Sequence, residues 1–171
     1  MSLFSVILQS LYFFLPAYCA NMAPVLFRWI PWGAKPVSEK YFGNHKTWRG
    51  LATGTLVGVV VFILQKYVLA IPYWSLIDYA DFSLWLGFLM GAGAMLGDLV
   101  KSYYKRKANI PPGESWMPAD QLDFVFGALI AGFFVFVPPA EVAAVLVVLS
   151  PVLHLGVNYL GYLLKINHQK W

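Results

Sequence analysis

Apolar positions along the chain gather into five runs, Leu3 to Phe27, Leu51 to Leu64, Phe82 to Gly97, Phe124 to Val137 and Val142 to Leu164, with polar or Pro/Gly-rich stretches between them. Some runs fall short of the roughly 20 residues that a membrane span needs, so their helices are expected to extend into the polar flanks. The pattern predicts an all-α integral membrane protein with about five transmembrane helices in a single transmembrane domain, residues 1–171. A hydrophobic share of 60% against 12% charged residues excludes an ordinary soluble domain and changes nothing in that reading.

Within the runs, Pro16, Asn21 and Pro24 precede the first charge at Arg28, which predicts a helix kinked or broken toward its cytoplasmic end. Asn21 would face a polar pocket or hold the bundle together through an interhelical hydrogen bond. Gly50, Gly54 and Gly58 open the second run, and Gly87, Gly91, Gly93 and Gly97 punctuate the third. Small residues at this spacing let helix backbones approach closely, so these two runs are expected to pack tightly. Tyr67, Tyr73, Trp74 and Tyr79 in the outer connection suit the headgroup level, with Asp78 and Asp81 facing water. Pro138, Pro139 and Ala140 predict a tight antiparallel turn, and Pro151, His154 and Asn158 are read as packing residues of the last helix.

The cations sit unevenly. Arg28, Lys35, Lys40, Lys46 and Arg49 separate runs one and two; Lys101, Lys105, Arg106 and Lys107 separate three and four; Lys165 and Lys170 follow run five; Lys66 alone is on the other side. The positive-inside rule then places the N-terminus outside and the C-terminus in the cytoplasm, with cytoplasmic loops near 28–49 and 105–120. Cations divided among membrane loops do not make a continuous stripe, which argues against nucleic acid as a partner. Cys19 is alone and forms no intramolecular disulfide, and the first run lacks the basic flank of a secretory signal, so it is read as a retained span.

Candidate chemistry concentrates in Gly97 to Phe124. Asp98, Lys101, Ser102 and Lys105 recur at i, i+3, i+4 and i+7 and line one helix face, and Asp120 and Asp123 share a face of the next helix. Acidic residues are also common at helix N-termini, where each contributes roughly 0.3–1 kcal/mol; Asp98 and the neighbouring cations favour a site instead. Three carboxylates without Cys or His clusters suit Mg²⁺. Asn44, His45, Lys46, Thr47 and Arg49 form a second donor-rich stretch, fit for anionic oxygens or for lipid headgroups. Joining two anions would need such cations, because two unit charges about 4 Å apart repel by roughly 4 kcal/mol at an effective dielectric of 20.

These residues carry a family resemblance. Asp98, Ser102, Lys105-Arg106, Pro112-Gly113 and Asp120-x-x-Asp123 resemble the signature of the phosphatidate cytidylyltransferases, the CDP-diacylglycerol synthases, and more nearly their archaeal relatives, the CDP-archaeol synthases. Pro16-Ala17-Tyr18, Ala20-Asn21, Pro24, Gly43-Asn44 and Lys46 to Gly50 extend the likeness over most of the chain. The bacterial His-Gly-Gly element is missing, and Gln121 stands where that signature has Arg. The resemblance implies a multi-pass enzyme of the cell membrane, working on its cytoplasmic side. CMP would pass from CTP to an ether lipid phosphate with geranylgeranyl chains, within the lipid bilayer and with Mg²⁺ as cofactor. It implies Asp98, Asp120 and Asp123 as metal ligands, with Lys101 joining them in catalysis. Lys101, Ser102, Lys105 and Arg106 would meet phosphates, with Asn21, Asn44, Lys46, Thr47 and Arg49 also toward substrate. It allows a homo-oligomer.

Two other readings remain: a CTP-dependent lipid kinase, which would use the same metals and cations, and a small transporter or assembly subunit, for which His154 and Asn158 at the midplane would speak. The CDP-alcohol phosphotransferases are disfavoured because Phe124, not Gly, follows Asp123.

Overall fold

The computed structural model describes residues 2–68, 77, 79, 82–111 and 114–165. Every regular element among them is helical, apart from one isolated β-bridge. The order is α1 (Leu3–Phe13), α2 (Leu15–Leu26), α3 (Glu39–Phe42), α4 (Trp48–Tyr67), α5 (Trp85–Lys107), α6 (Ala119–Gly132) and α7 (Ala140–Leu163). Among the described residues α4 and α7 are long and apolar enough to cross a membrane, and the bent pair α1–α2 makes a third such unit. α5 is longer still than α4 but ends in charge, and α6, at 14 residues, reaches only about 21 Å.

The helices do grow into their polar flanks, as α4 shows at both ends and α5 at its C-terminal end. The break in the first run lies elsewhere than expected. α1 and α2 meet at Phe14 with a bend of 47°, near the middle of the run and well before Arg28. Pro16 has no N–H for the Tyr12 carbonyl four residues back, and Gln65 Nε2 of α4 donates to that carbonyl at 2.5 Å instead. Pro24 lies inside α2 without ending it, and the carbonyl it leaves free, that of Ala20, faces Gly54 of α4.

Two further expectations change. α6, the helix of the fourth run, stops at Gly132, and the connection to Ala140 is longer than a tight turn, leaving Phe134 and Val137 exposed. Tyr79 is a core residue, packed edge-on against Tyr12 and beside Phe62 and Phe82, not an interfacial one. Tyr73, Trp74, Asp78, Asp81, Pro112, Gly113 and Lys170 lie outside the described residues.

α5 is the centre of the bundle, packing against α4, α6, α2 and α3. The glycine stripes act as close-approach surfaces. A Cβ placed on Gly58 would fall 2.7 Å from Gly91 Cα, so no larger residue fits where α4 crosses α5. α7 is held by a Tyr18–Ser150 hydroxyl contact of 2.7 Å and by His154 stacked on Phe124. Asn158 Nδ2 lies 3.4 Å from His154 Nδ1, consistent with a packing role for both.

Candidate active site

The charged face of α5 meets the first turns of α6 at one end of the bundle. Lys101 Nζ lies 2.8 Å from Asp120 Oδ1, 3.0 Å from Asp123 Oδ2 and 3.2 Å from Asp98 Oδ1. The second oxygen of Asp98 accepts from Lys46 Nζ at 2.5 Å. Lys105 Nζ stands 3.3 Å from Asp120 Oδ2 and donates to the Glu114 carbonyl. Asp120 Oδ2 also accepts the Trp116 N–H at 2.5 Å, and Asp123 Oδ1 that of Phe124 at 2.6 Å. Asp123, Lys105 and Lys101 keep only 4%, 9% and 13% of their side chains exposed. Charges this deep persist only when paired, and three carboxylates against three ammonium groups balance.

Three local features bring the groups together. Gly97 is the first: a Cβ there would sit 2.9 Å from the Asp123 carbonyl carbon, and one on Gly127 would sit 2.9 Å from Gly97 Cα. Without side chains between them the two backbones close, and Asp123 arrives beside Asp98 and Lys101.

The second is the fold-back of the first connection. Pro36 bridges Thr47, Val37 N–H donates to the Lys46 carbonyl at 2.7 Å, and Arg49 N–H to the Gly33 carbonyl at 2.7 Å. Gly33 has φ +64°, a left-handed conformation that glycine adopts without strain. Thr47 caps α4 through its Oγ1, which accepts from Gly50 N–H at 3.1 Å, and α3 lays Tyr41 against Tyr103 of α5. Lys46 is thereby aimed at Asp98.

The third is the end of α5. Asn109 has φ +58°, while Ile110 N–H donates to the Lys105 carbonyl at 3.0 Å and Asn109 N–H to that of Arg106 at 3.1 Å. This pair of bonds is a Schellman terminus, which turns the chain back so that Glu114 and Trp116 reach Lys105 and Asp120.

Of the residues singled out from sequence, Asp98, Lys101, Lys105, Asp120, Asp123 and Lys46 come together. Ser102 is buried on the same helix face, where its hydroxyl donates to the Asp98 carbonyl at 2.7 Å. Among the described residues Asn21, Asn44, Thr47, Arg49 and Arg106 make no hydrogen bond or ion pair with the three aspartates. Thr47 is engaged as a cap, Arg49 donates from Nη1 to the Ile30 carbonyl, and Asn44 is exposed in a turn. Arg106 has a buried Nε without a partner, a donor still available to an anion. The backbone groups of Glu114 and Trp116 have no signal in the sequence, since any residue offers them.

Among the described residues no group of three His, Cys, Asp or Glu side chains is arranged to hold a metal ion as it stands. The aspartates meet instead through the Lys101 ammonium. Their chemistry nevertheless fits a hard divalent cation, because three carboxylate oxygens approach one cationic point within 3.2 Å and no sulfur or imidazole joins them.

A family profile described as CarS-like, CDP-archaeol synthase, matches residues 3–171. The chain belongs to the CDP-archaeol synthase family. A CDP-archaeol synthase of Pyrococcus furiosus is 33% identical over 96% of this chain and 98% of its own length, and one of Thermococcus kodakarensis 35% identical over 98% of each. A solved structure of an intramembrane enzyme for archaeal membrane lipid biosynthesis superposes with TM-score 0.66 at 27% identity, covering 89% of this chain and 94% of that one. Membership in the CDP-archaeol synthase family makes the chain an enzyme of the nucleotidyltransferase class, and the resemblance drawn from its motifs holds across nearly its whole length.

Proposed function

We propose that the chain transfers CMP from CTP to 2,3-bis-O-geranylgeranylglycerol 1-phosphate, an unsaturated ether lipid phosphate, giving a CDP-lipid and pyrophosphate. The observation that supports this most is the cluster of three carboxylates and three lysines gathered at one rim of an apolar helical bundle. A transporter would place its ionisable groups nearer the midplane.

In the reaction an oxygen of the lipid phosphate attacks the α-phosphorus of CTP. The new P–O bond forms as the bond from that phosphorus to the bridging oxygen breaks, and pyrophosphate departs with the electron pair. The nucleophile is already an anion, so no side-chain base is needed, and positioning with charge neutralisation suffices. Lys46, Lys101, Lys105 and Arg106 offset phosphate charge, and removing a repulsion of roughly 4 kcal/mol is about a thousandfold in rate. Asp98, Asp120 and Asp123 would hold Mg²⁺, which would supply Lewis-acid polarisation of phosphoryl oxygens there. Ser102, and beyond it Asn44, Thr47 and Arg49, border the nucleotide or the lipid phosphate.

The enzyme works in the cell membrane with this rim in the cytoplasm. Five spans, formed by the α1–α2 pair, α4, α5, α6 and α7, put the N-terminus outside, in line with the cations of the first and third connections.

The test uses purified protein with Mg²⁺, the lipid phosphate or the corresponding lipid alcohol, and CTP labelled at the α or the γ phosphate. Label from the α position in the lipid, with pyrophosphate released, is the expected result. Label from γ would make the protein a kinase, and no transfer by folded protein would overturn the reading.

A further inference from the structure

Among the described residues Lys101 is the side chain that touches all three aspartates. An ammonium group has three donors and no more. The Lys101 ammonium donates to Asp120 at 2.8 Å and pairs with Asp123 at 3.0 Å and Asp98 at 3.2 Å, so the three carboxylates surround it. The carboxylate oxygens it contacts are the ones a divalent cation would take, so the two cannot be held at once in this arrangement. From this geometry we infer that Lys101 is a resident counter-ion, exchanged for the divalent cation when that cation binds, and freed by the exchange to meet a phosphate. The inference rests on the reading of the three aspartates as magnesium ligands.

Charge and placement support the exchange. With Lys46, Lys101 and Lys105 opposite Asp98, Asp120 and Asp123, the cluster sums to zero. Adding a divalent cation takes the sum to +2, a state that suits an anionic nucleotide and lipid phosphate and is costly without them at a low-dielectric rim. Metal and substrate are then expected to bind with mutual reinforcement, and the metal-free enzyme keeps three buried carboxylates together without strong repulsion. Lys101 can move because its long stem starts on α5 one turn beyond Asp98, at the charged end of the helix, while the aspartates are fixed by backbone N–H groups and by the other lysines. Lys101 is in this role a positioning residue before it is a phosphate ligand.

The experiment is done without nucleotide or lipid. Lysine acetylation of the wild-type protein in detergent is followed by mass spectrometry as Mg²⁺ is added, with the exposed Lys35 and Lys107 as internal references. Lys101 labelling is expected to rise several-fold while the references stay level; labelling of Lys101 that stays flat across a Mg²⁺ titration into the tens of millimolar would overturn the inference. In parallel, Mn²⁺ binding is titrated by EPR for wild type and Lys101→Met. The variant should bind at least tenfold more tightly, since no ammonium has to be displaced, whereas equal or weaker binding would show that Lys101 and the ion do not share oxygens. Should Lys101→Met fail to fold without metal, the wild-type labelling still decides. Because neither readout uses turnover, failure here leaves the labelled-CTP assay to judge the transferase reading separately.

Discussion

The Lys46 ammonium lies 2.5 Å from Asp98 Oδ2, joining the first connection to α5 across 52 positions of sequence. Both side chains are partly exposed, so their bond contributes about 1 kcal/mol to stability, not the larger figure of a fully buried pair. Its greater effect is to draw the loop over the site. Lys46→Met is expected to lower the thermal midpoint slightly and to cut kcat/KM for cytidylyl transfer by roughly tenfold or more, about 1.4 kcal/mol or above. An unchanged kcat/KM in steady-state assays would remove Lys46 from the site.

Asp123 is the most enclosed carboxylate of the cluster, with 4% of its side chain exposed. Asp123→Asn keeps the shape and the oxygen that accepts from Phe124 N–H, but it discards the charge. Turnover is expected to vanish into the background while the far-ultraviolet circular dichroism spectrum and a monodisperse elution profile persist. Retained activity would exclude Asp123 as a metal ligand.

The α5–α6 contact gives a pair of glycine tests. Gly127→Ala would bring a methyl 2.9 Å from Gly97 Cα, and backbone cannot yield as a flexible side chain can. Overpacking of this kind costs about 1–3 kcal/mol. Because the same contact delivers Asp123 to Lys101, activity should fall with it. Gly156→Ala in α7 meets nothing within 4 Å and should be neutral, or stabilising by up to about 1 kcal/mol, from the helix preference of alanine. Melting both variants in one detergent checks the contrast, which would fail if Gly127→Ala melted like wild type.

Gln65 serves the bend between α1 and α2. Replacing it by Leu takes the Gln65 donor from the Tyr12 carbonyl, which Pro16 cannot supply, at a fully buried position of α4. A loss of about 1–3 kcal/mol is expected. The aspartate–lysine cluster is elsewhere in the bundle, so kcat should change less than the melting temperature does; a variant as stable as wild type would mean that the bend needs no such donor.

The five runs became the helical units of the bundle because apolarity over a helix length is a local property that chain geometry cannot rearrange. The break lies at Phe14 rather than nearer Pro24 for the opposite reason. Pro16 and Pro24 look alike in sequence, and which one bends the chain depends on what each freed carbonyl meets, Gln65 in one case and the backbone at Gly54 in the other. Tyr79 misled similarly, since an aromatic in a connection reads as interfacial until its packing partners are known.

For the site, the sequence by itself determined the chemical inventory: helical spacing put Asp98, Lys101, Ser102 and Lys105 on one face, and charge in an apolar chain had to find partners. The motifs also carried the family. Tertiary structure decided which partners those were. It chose Lys46 out of the donors Asn44, Lys46, Thr47 and Arg49, gave Thr47 and Arg49 to the loop's own backbone, and set Lys101 among all three aspartates. The physical reason is that an ion pair depends on separations of a few ångströms between helices. Those are fixed by how closely Gly97 and Gly127 let two backbones approach, which no local reading of either helix contains.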